Sequence, residues 1–454
     1  MANITNKNRD LILSGNLTKA ILALAVPIAI NNLIQTMYNL TDAYWLGTLS
    51  TEYMSAISLV TPIQNIIINF GQGLNVAGSV LISQYIGAGD EKNAKSMSTQ
   101  IFIAVIVFSL FCAIAFILAS PFIISWLGAT ENVYTYSLIY LRIILCDMPF
   151  LFIINIYSAI NQANGNTVKP MYLNLLGIIL NMILDPLFLI VFDWGIAGAG
   201  FATMLSKVPC ALIAFYSLIK NGHIKFKGFR FEKEKLAKII KIGLPSALGG
   251  STMQFGFLLM SKNVLEYGPV ALAAYGVGNR INSIITMPSN SMGSAVATIV
   301  GQNIGAGQKE RAEKAYLRAR TIAVIFLFVS GMILSRDFIS YPIAQFFTKT
   351  DPNTTLLAAD FLSVMAFWCW ANGIDNSTSA LFQGTGHTMI NMIIDASRLW
   401  VFRFLTLYIC ANVFDMGVRS VWYSVVVSNG ISALIRYILY KMRVWEKDTI
   451  NIAK

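Results

Sequence analysis

Two aspartates lie inside apolar stretches of this sequence and are suited to binding a cation or a proton. Asp42 lies in the first long apolar segment and Asp185 in the fifth, each shortly before its segment ends. Asn181 precedes Asp185 by one helical turn, and Gln35 and Tyr38 precede Asp42 by two turns and by one. A carboxylate inside a membrane span is a functional candidate by default. Carboxylate, amide and hydroxyl oxygens suit either a Na⁺ site or two carboxylates that share a proton, and we favour H⁺.

The segments that carry these residues have the composition of membrane-spanning helices. Of the 454 residues, 56% are hydrophobic and only 12% are charged, whereas a soluble domain has about 25% charged residues. A spanning helix needs about 20 mostly apolar residues. The segments that meet this requirement are 18–46, 52–83, 95–124, 132–160, 168–192, 196–220, 236–263, 269–301, 316–346, 353–384, 387–411 and 416–441. The predicted fold is therefore an all-α polytopic membrane protein with twelve transmembrane helices in two pseudo-symmetric six-helix bundles.

The charged residues of the loops predict the topology. The chain has 33 Lys and Arg against 22 Asp and Glu, and the basic residues collect in every second loop. By the positive-inside rule those loops are cytoplasmic, so both termini are cytoplasmic in a prokaryotic inner membrane. The basic excess therefore indicates a lipid bilayer partner and not nucleic acid. The longest polar stretch, 221–238, is read as a cytoplasmic linker.

An internal repeat divides the chain. LAVPIAI around Pro27 matches IGLPSAL around Pro245, and SQYIGAGDEKNA from Ser83 matches GQNIGAGQKERA from Gly301, both at an offset of 218 residues. A looser match pairs SAINQANGNT with SALFQGTGHT at an offset of 221. The predicted domains are an N-lobe at 1–220, the linker at 221–238 and a C-lobe at 239–454. Parallel repeats of this kind are typical of transporters that bind substrate between the halves.

The repeat also acts as an internal control on the acidic residues. Its offsets align Asp42 with Met260 and Asp185 with Thr406, so the acidic pair belongs to the first half alone. The second half has its own acids, Asp375 and Asp395. They are read as a neutralised packing pair, because Arg398 follows Asp395 by three residues, with a second cation site as the alternative. Arg403 also lies near these acids in the sequence. Arg280 and Lys207 lie inside apolar spans, and the sequence leaves open whether they pair with these acids or extend their charged ends towards the membrane interface.

Several motifs resemble the multidrug and toxic compound extrusion (MATE) family. They are Pro27 in the first span, QTMYNLTDAYWLG at 35–47, both QxIGAG loops and GNTVKPMYLNLLGIILNMILDP at 165–186. NLTDAYWLG together with LNMILDP is most similar to the DinF-like branch. The resemblance covers essentially the whole chain. It implies export of amphipathic, often cationic, small molecules in exchange for Na⁺ or H⁺, with two lobes around a central cavity. We also expect no cofactor and a monomeric state. On this basis Asp42, Asn181 and Asp185 match the N-lobe cation site. Tyr140, Asn155 and Thr203 match its lining.

The alternatives to a drug transporter are a flippase, an enzyme and a channel, and Pro27 is a candidate hinge. The main alternative is a flippase or exporter of lipid-linked or polar metabolites from the same superfamily, which more often has basic residues in its cavity. An enzyme would need a nucleophile–base set or a metal site, yet the only two histidines, His223 and His387, fall in predicted loops. A channel is a further alternative. Pro27, inside the first span, removes one backbone hydrogen bond and is read as a hinge upstream of Asp42.

Overall fold

The computed structural model describes residues 2–129, 131–348, 351–447 and 450, without the side chains of 2–7, 39–44, 46–49, 51 and 131. This part of the chain is helical and contains no strand. Its α-helices are α1 Ala2–Leu13, α2 Leu17–Leu49, α3 Thr51–Gly87, α4 Glu91–Trp126, α5 Glu131–Ala163, α6 Val168–Pro186, α7 Gly195–Lys220, α8 Lys233–Leu265, α9 Pro269–Gly305, α10 Lys309–Leu334, α11 Asp337–Thr348, α12 Pro352–Trp368, α13 Trp370–Gly384, α14 Thr388–Ser397, α15 Phe404–Asn412 and α16 Arg419–Lys441. Two π-helical turns, Leu187–Val191 and Arg398–Arg403, follow α6 and α14, and a 3₁₀ turn covers Val444–Glu446.

Each of the twelve predicted spans coincides with one helix or with consecutive helices. Within the described residues, eight helices are long and apolar enough to cross a membrane, and the pair α12–α13, bent by 56°, makes a ninth span. The other three predicted spans are helical but do not meet this criterion. Of these, α8 and α9 are long, but neither contains one continuous stretch that is apolar enough, and the π-helical turn separates α14 from α15. The protein is an all-α polytopic membrane protein.

The chain folds into two compact units whose boundaries lie inside helices. Unit 1 contains Met1–Asp10 and Pro27–Ala247, and unit 2 contains Leu11–Val26 and Leu248–Lys454. These bounds differ from the predicted lobes at 11–26 and at 239–247. Hydropathy identifies a span but does not identify the helices against which it packs. Both helices that change unit, α2 and α8, do so at or within three residues of a repeat proline, Pro27 or Pro245.

Specific contacts explain both differences. In unit 1 the beginning of α8 lies against α3, where a Cβ on Gly73 would be 2.4 Å from the Gly243 carbonyl oxygen, so only glycine permits this approach. In unit 2 the segment before Pro27 is held by Arg311, which donates from Nε to Ile12 O at 3.1 Å and from Nη2 to Gly15 O at 2.6 Å.

The repeated QxIGAG motif has the same backbone conformation in both copies. α3 ends at Gly87 and α9 at Gly305, and the next glycines adopt positive φ, 75° at Gly89 and 74° at Gly307. The Gly89 amide donates to Ile86 O at 3.1 Å and the Gly307 amide to Ile304 O at 3.0 Å, so each glycine caps the preceding helix.

The predicted linker packs against α4. The Gln100 side chain donates to Glu232 O at 2.6 Å and accepts from the Glu232 amide at 3.2 Å. The Lys235 ammonium contacts Asn93 Oδ1 at 2.9 Å and Glu232 Oε1 at 2.8 Å. These contacts lower the pKa of the Glu232 carboxyl, mainly through the hydrogen bond from Lys235. The segment is therefore an ordered part of unit 1.

Candidate functional site

The candidate cation site in unit 1 is built on the C-terminal end of α6. Asn181 and Asp185 lie one turn apart, and both side chains are buried. Asn181 Nδ2 donates to Asp185 Oδ1 at 3.1 Å. Within the described residues, the buried Asn181 Oδ1 has no hydrogen-bond donor. The π-helical turn at Leu187–Val191 follows at once, and such turns are frequent at functional sites. α6 thus presents an amide and a carboxylate side by side on one buried face.

The other predicted members of this site lie on α2, α5 and α7, and they differ in burial. Asp42 lies in α2, but its side chain is outside the described residues, so its pairing with Asp185 stays a prediction. On the same helix Tyr38 is buried and Gln35 is exposed. The predicted lining residues lie on α5 and α7. Of these, Tyr140 and Thr203 are buried, and Asn155 is half-buried.

A second acidic residue of unit 1, Asp147, was missed by the sequence analysis. It lies on α5, is fully buried and forms an ion pair with Lys207 of α7, whose side chain is 16% exposed. The sequence leaves open whether Lys207 pairs with the acids of the second half or extends its ammonium group towards the membrane interface. Instead it pairs with Asp147 inside unit 1. The same rule that selected Asp42, an acid in an apolar run, would have selected Asp147 in IYLRIILCDMPFLF.

Helix packing places this ion pair close to the level of Asn181. A Cβ on Gly200 would lie 2.9 Å from Ile143, which fixes the register of α7 against α5. A Cβ on Gly177 would lie 3.4 Å from Cys210 Sγ, so α6 and α7 are in contact at this level. α6 and α7 run in opposite directions, so Asn181, one turn beyond Gly177, lies at a similar depth to the first half of α7.

In unit 2 the two acids take part in a four-residue charge network. Asp375 Oδ1 forms an ion pair with Arg436 Nη1 at 2.5 Å, and Asp375 Oδ2 accepts from Arg398 Nη1 at 3.2 Å. Asp395 Oδ1 lies 2.8 Å from Arg436 and 3.3 Å from Arg398. The predicted Asp395–Arg398 contact is present, whereas Arg436 was not identified as a partner. Both carboxylates are thus neutralised by guanidinium groups.

The remaining bases of unit 2 differ in their surroundings. Arg403, only 8% exposed, ends the π-helical turn at Arg398–Arg403. It donates from Nε to Ser428 Oγ at 3.1 Å and from Nη2 to Asn429 Oδ1 at 3.1 Å. Arg280 on α9 is exposed.

Comparisons with known proteins identify the family of this chain and relatives over most of its length. The MatE family model matches residues 27–187 and 245–409, one match in each half. The chain is 27% identical over 399 residues to the probable multidrug resistance protein YpnP of Bacillus subtilis, covering 86% of this chain and 87% of YpnP. It is 27% identical over 433 residues to the multidrug export protein MepA of Staphylococcus aureus, covering 94% of each. It matches the structure of a multidrug resistance MATE family transporter in its outward-facing conformation with a TM-score of 0.90, 26% identity and coverage of 95% and 97%.

Proposed function

This chain belongs to the MatE family, whose members are membrane transporters and not enzymes, and from that premise we propose that the carboxylates of unit 1 couple its export activity to an inward-moving cation. The chain is a multidrug efflux transporter that works by alternating access. The observation that carries the coupling proposal is the buried Asn181–Asp185 pair on α6. It provides a carboxylate and an amide oxygen at one point, where Na⁺ or a proton can bind.

In the proposed cycle, the cation enters from outside and neutralises charge at Asp185 and Asp42. The change in charge alters the forces on α2, which bends at Pro27. That residue marks the point where α2 passes from unit 2 to unit 1. A proline lacks one backbone hydrogen bond, so bending there costs less than elsewhere in the helix. A cation that binds one of the two conformational states a few kcal/mol more tightly than the other shifts the equilibrium between them. A nearly complete shift needs about 5.5 kcal/mol.

The proposed substrates are amphipathic cationic molecules, and the coupling ion is H⁺ or Na⁺. Gln35, Tyr38, Tyr140, Asn155 and Thr203 would line the path of the ion or the substrate. We further propose that the protein acts as a monomer in the inner membrane, with both termini cytoplasmic.

Efflux of a cationic dye from proteoliposomes tests the coupling proposal. Dye movement is followed under an imposed Na⁺ or H⁺ gradient for the wild type, Asp42→Asn and a matched control, Asp193→Asn. Asp193 is exposed after the π-helical turn, and its φ of 51° suits asparagine. Gradient-driven efflux is expected to be lost in Asp42→Asn and kept in Asp193→Asn. Wild-type efflux by Asp42→Asn under both gradients would show that coupling lies elsewhere.

A further inference from the structure

Two bases and three tyrosines of α10 and α16 form a basic aromatic cluster in unit 2. The guanidinium carbon of Arg320 lies 5.3 Å from the centre of the Tyr316 ring and 5.6 Å from the centre of the Tyr437 ring. The ammonium group of Lys441 lies 5.7 Å from the centre of the Tyr437 ring and 6.0 Å from that of Tyr440. At these distances a cation is attracted to an aromatic ring, so the Tyr437 ring holds two positive charges close together.

Neither base of the basic aromatic cluster has a carboxylate partner among the described residues. Arg320 donates from Nη1 to Tyr316 Oη at 3.2 Å, which leaves further N–H donors on its guanidinium. Glu313 lies in the same region, but it accepts from the Tyr440 hydroxyl at 2.5 Å. Lys441 is exposed and Arg320 is half-buried. The cluster therefore offers two positive charges to an anion from outside the protein.

The internal repeat shows that the position of Arg320 is covered in unit 1. The offset of 218 residues aligns Arg320 with Phe102. Phe102 is buried, and its ring centre lies 5.7 Å from that of Phe215 and 6.2 Å from that of Phe226. Phe226 belongs to the segment 221–238, which packs against α4. Unit 1 thus has three apolar rings at a point where unit 2 has a charge.

The tyrosine and lysine that end the sixth span occur in both units. The offset of 221 residues aligns Tyr437 and Lys441 with Tyr216 and Lys220. The Lys220 ammonium lies 5.4 Å from the centre of the Tyr216 ring, much as Lys441 lies over Tyr437. The pair is therefore a shared feature of the fold, and the addition of Arg320 is what distinguishes unit 2.

The basic aromatic cluster lies where apolar segments end. Arg320 is the last charged residue before the uncharged run 321–334 of α10, and Lys441 is the last residue of α16. Tyrosine and basic side chains at the ends of membrane spans lie at the level of the lipid headgroups. A phospholipid phosphate is therefore the anion present at this level, and the planar fork of arginine matches its oxygens.

We propose that the basic aromatic cluster binds the phosphate of an anionic phospholipid. Arg320 donates to the phosphate oxygens, Lys441 adds a second positive charge, and the ring of Tyr437 holds the two bases in place. A headgroup with a net negative charge is preferred, because the cationic group of a zwitterionic headgroup is repelled by the same bases. The bound lipid joins the ends of α10 and α16, and this role is independent of the coupling ion and of the exported molecule.

Native mass spectrometry of the purified full-length protein in a non-ionic detergent tests the proposal. The protein is titrated with phosphatidylglycerol or with phosphatidylcholine that has the same acyl chains. We expect the first phosphatidylglycerol to bind at least about fivefold more tightly than the first phosphatidylcholine. Arg320→Gln and Lys441→Gln should each weaken that phosphatidylglycerol about fivefold, the contribution of one base near a membrane surface. Arg320→Lys, which keeps the charge, should lose less.

The matched control is Lys220→Gln, which removes the equivalent lysine of unit 1 and should change the affinity less than about twofold. Equal losses in Lys220→Gln and Arg320→Gln would overturn the proposal, because the attraction would then be a general one to basic residues. Equal affinities of the two lipids for the wild type would also overturn it. So would displacement of phosphatidylglycerol by inorganic phosphate at concentrations that leave phosphatidylcholine bound, since the site would then take a soluble anion. If Arg320→Gln fails to fold, the comparison of Lys441→Gln with Lys220→Gln decides the question.

Discussion

Within the described spans, the two units differ in the balance of their buried charges. Unit 1 has the acids Asp147 and Asp185 and one base, Lys207. Unit 2 has Asp375 and Asp395 against three arginines, Arg398, Arg403 and Arg436. The repeat gives both halves six predicted spans and the same helix caps at QxIGAG, so side chains and not backbone architecture make the units chemically different. Among these residues unit 1 therefore has more acids than bases, and unit 2 has more bases than acids.

The largest expected effect is a contrast between acids of the two units. Asp185→Asn should reduce ion-driven dye efflux at least about tenfold, because it removes a charge that binds the cation, and a loss of about 1.4 kcal/mol of binding free energy corresponds to a factor of ten. Asp375→Asn should reduce it much less, since Asp375 is already neutralised by two arginines. Both variants are compared at equal amounts of inserted protein. Equal losses would move part of the coupling site into unit 2.

A second prediction concerns the Asp147–Lys207 pair of unit 1. Lys207→Met leaves a fully buried carboxylate without its base. Removal of one partner from a buried pair costs about 3–5 kcal/mol, so a marked fall in melting temperature is expected. The double variant Asp147→Asn, Lys207→Gln removes both charges and should melt closer to the wild type. If the double variant were as unstable as Lys207→Met, the ion pair would not be the reason for the loss.

The two units can also be compared by their glycine caps. Alanine at Gly89 or Gly307 must adopt a φ near 75°, which costs about 1–2 kcal/mol. A Cβ would meet Arg9 Nη2 at 3.5 Å at Gly89 and nothing within 4 Å at Gly307, so neither site adds a clash. The two variants should therefore lose similar, small amounts of thermal stability, with transport retained. A much larger loss at one site would show that the two copies of the motif have different roles.

The sequence was sufficient for the fold class, the helices and the family. Apolar length identifies spans, and an ungapped repeat identifies two halves, because both signals are local in sequence. The partners Asp147, Lys207 and Arg436 were not predicted as pairs, because they lie on different helices and the packing of those helices is not encoded in hydropathy. For the same reason the unit boundaries inside α2 and α8 were missed. The N-terminal polar segment also forms a helix, α1, that lacks the apolar length of a span.

The candidate cation site was only partly accessible to the same reasoning. The i, i+4 spacing of Asn181 and Asp185 is enough to place their side chains together once the segment is helical, and they are hydrogen-bonded. The pairing of Asp42 with Asp185 depends on how α2 lies against α6, and it remains a prediction, as does the assignment to the DinF-like branch.

Ion uptake driven by the substrate tests the central claim most directly. Proteoliposomes are loaded with a pH indicator in one preparation and supplied with radioactive sodium in another, and an imposed dye gradient drives exchange. The account predicts that one of the two ions moves against the dye in the wild type and in Asp375→Asn, and that this movement is absent in Asp42→Asn and in Asp185→Asn. Ion movement that persists in both unit 1 variants, or that disappears only in Asp375→Asn, would contradict coupling through unit 1.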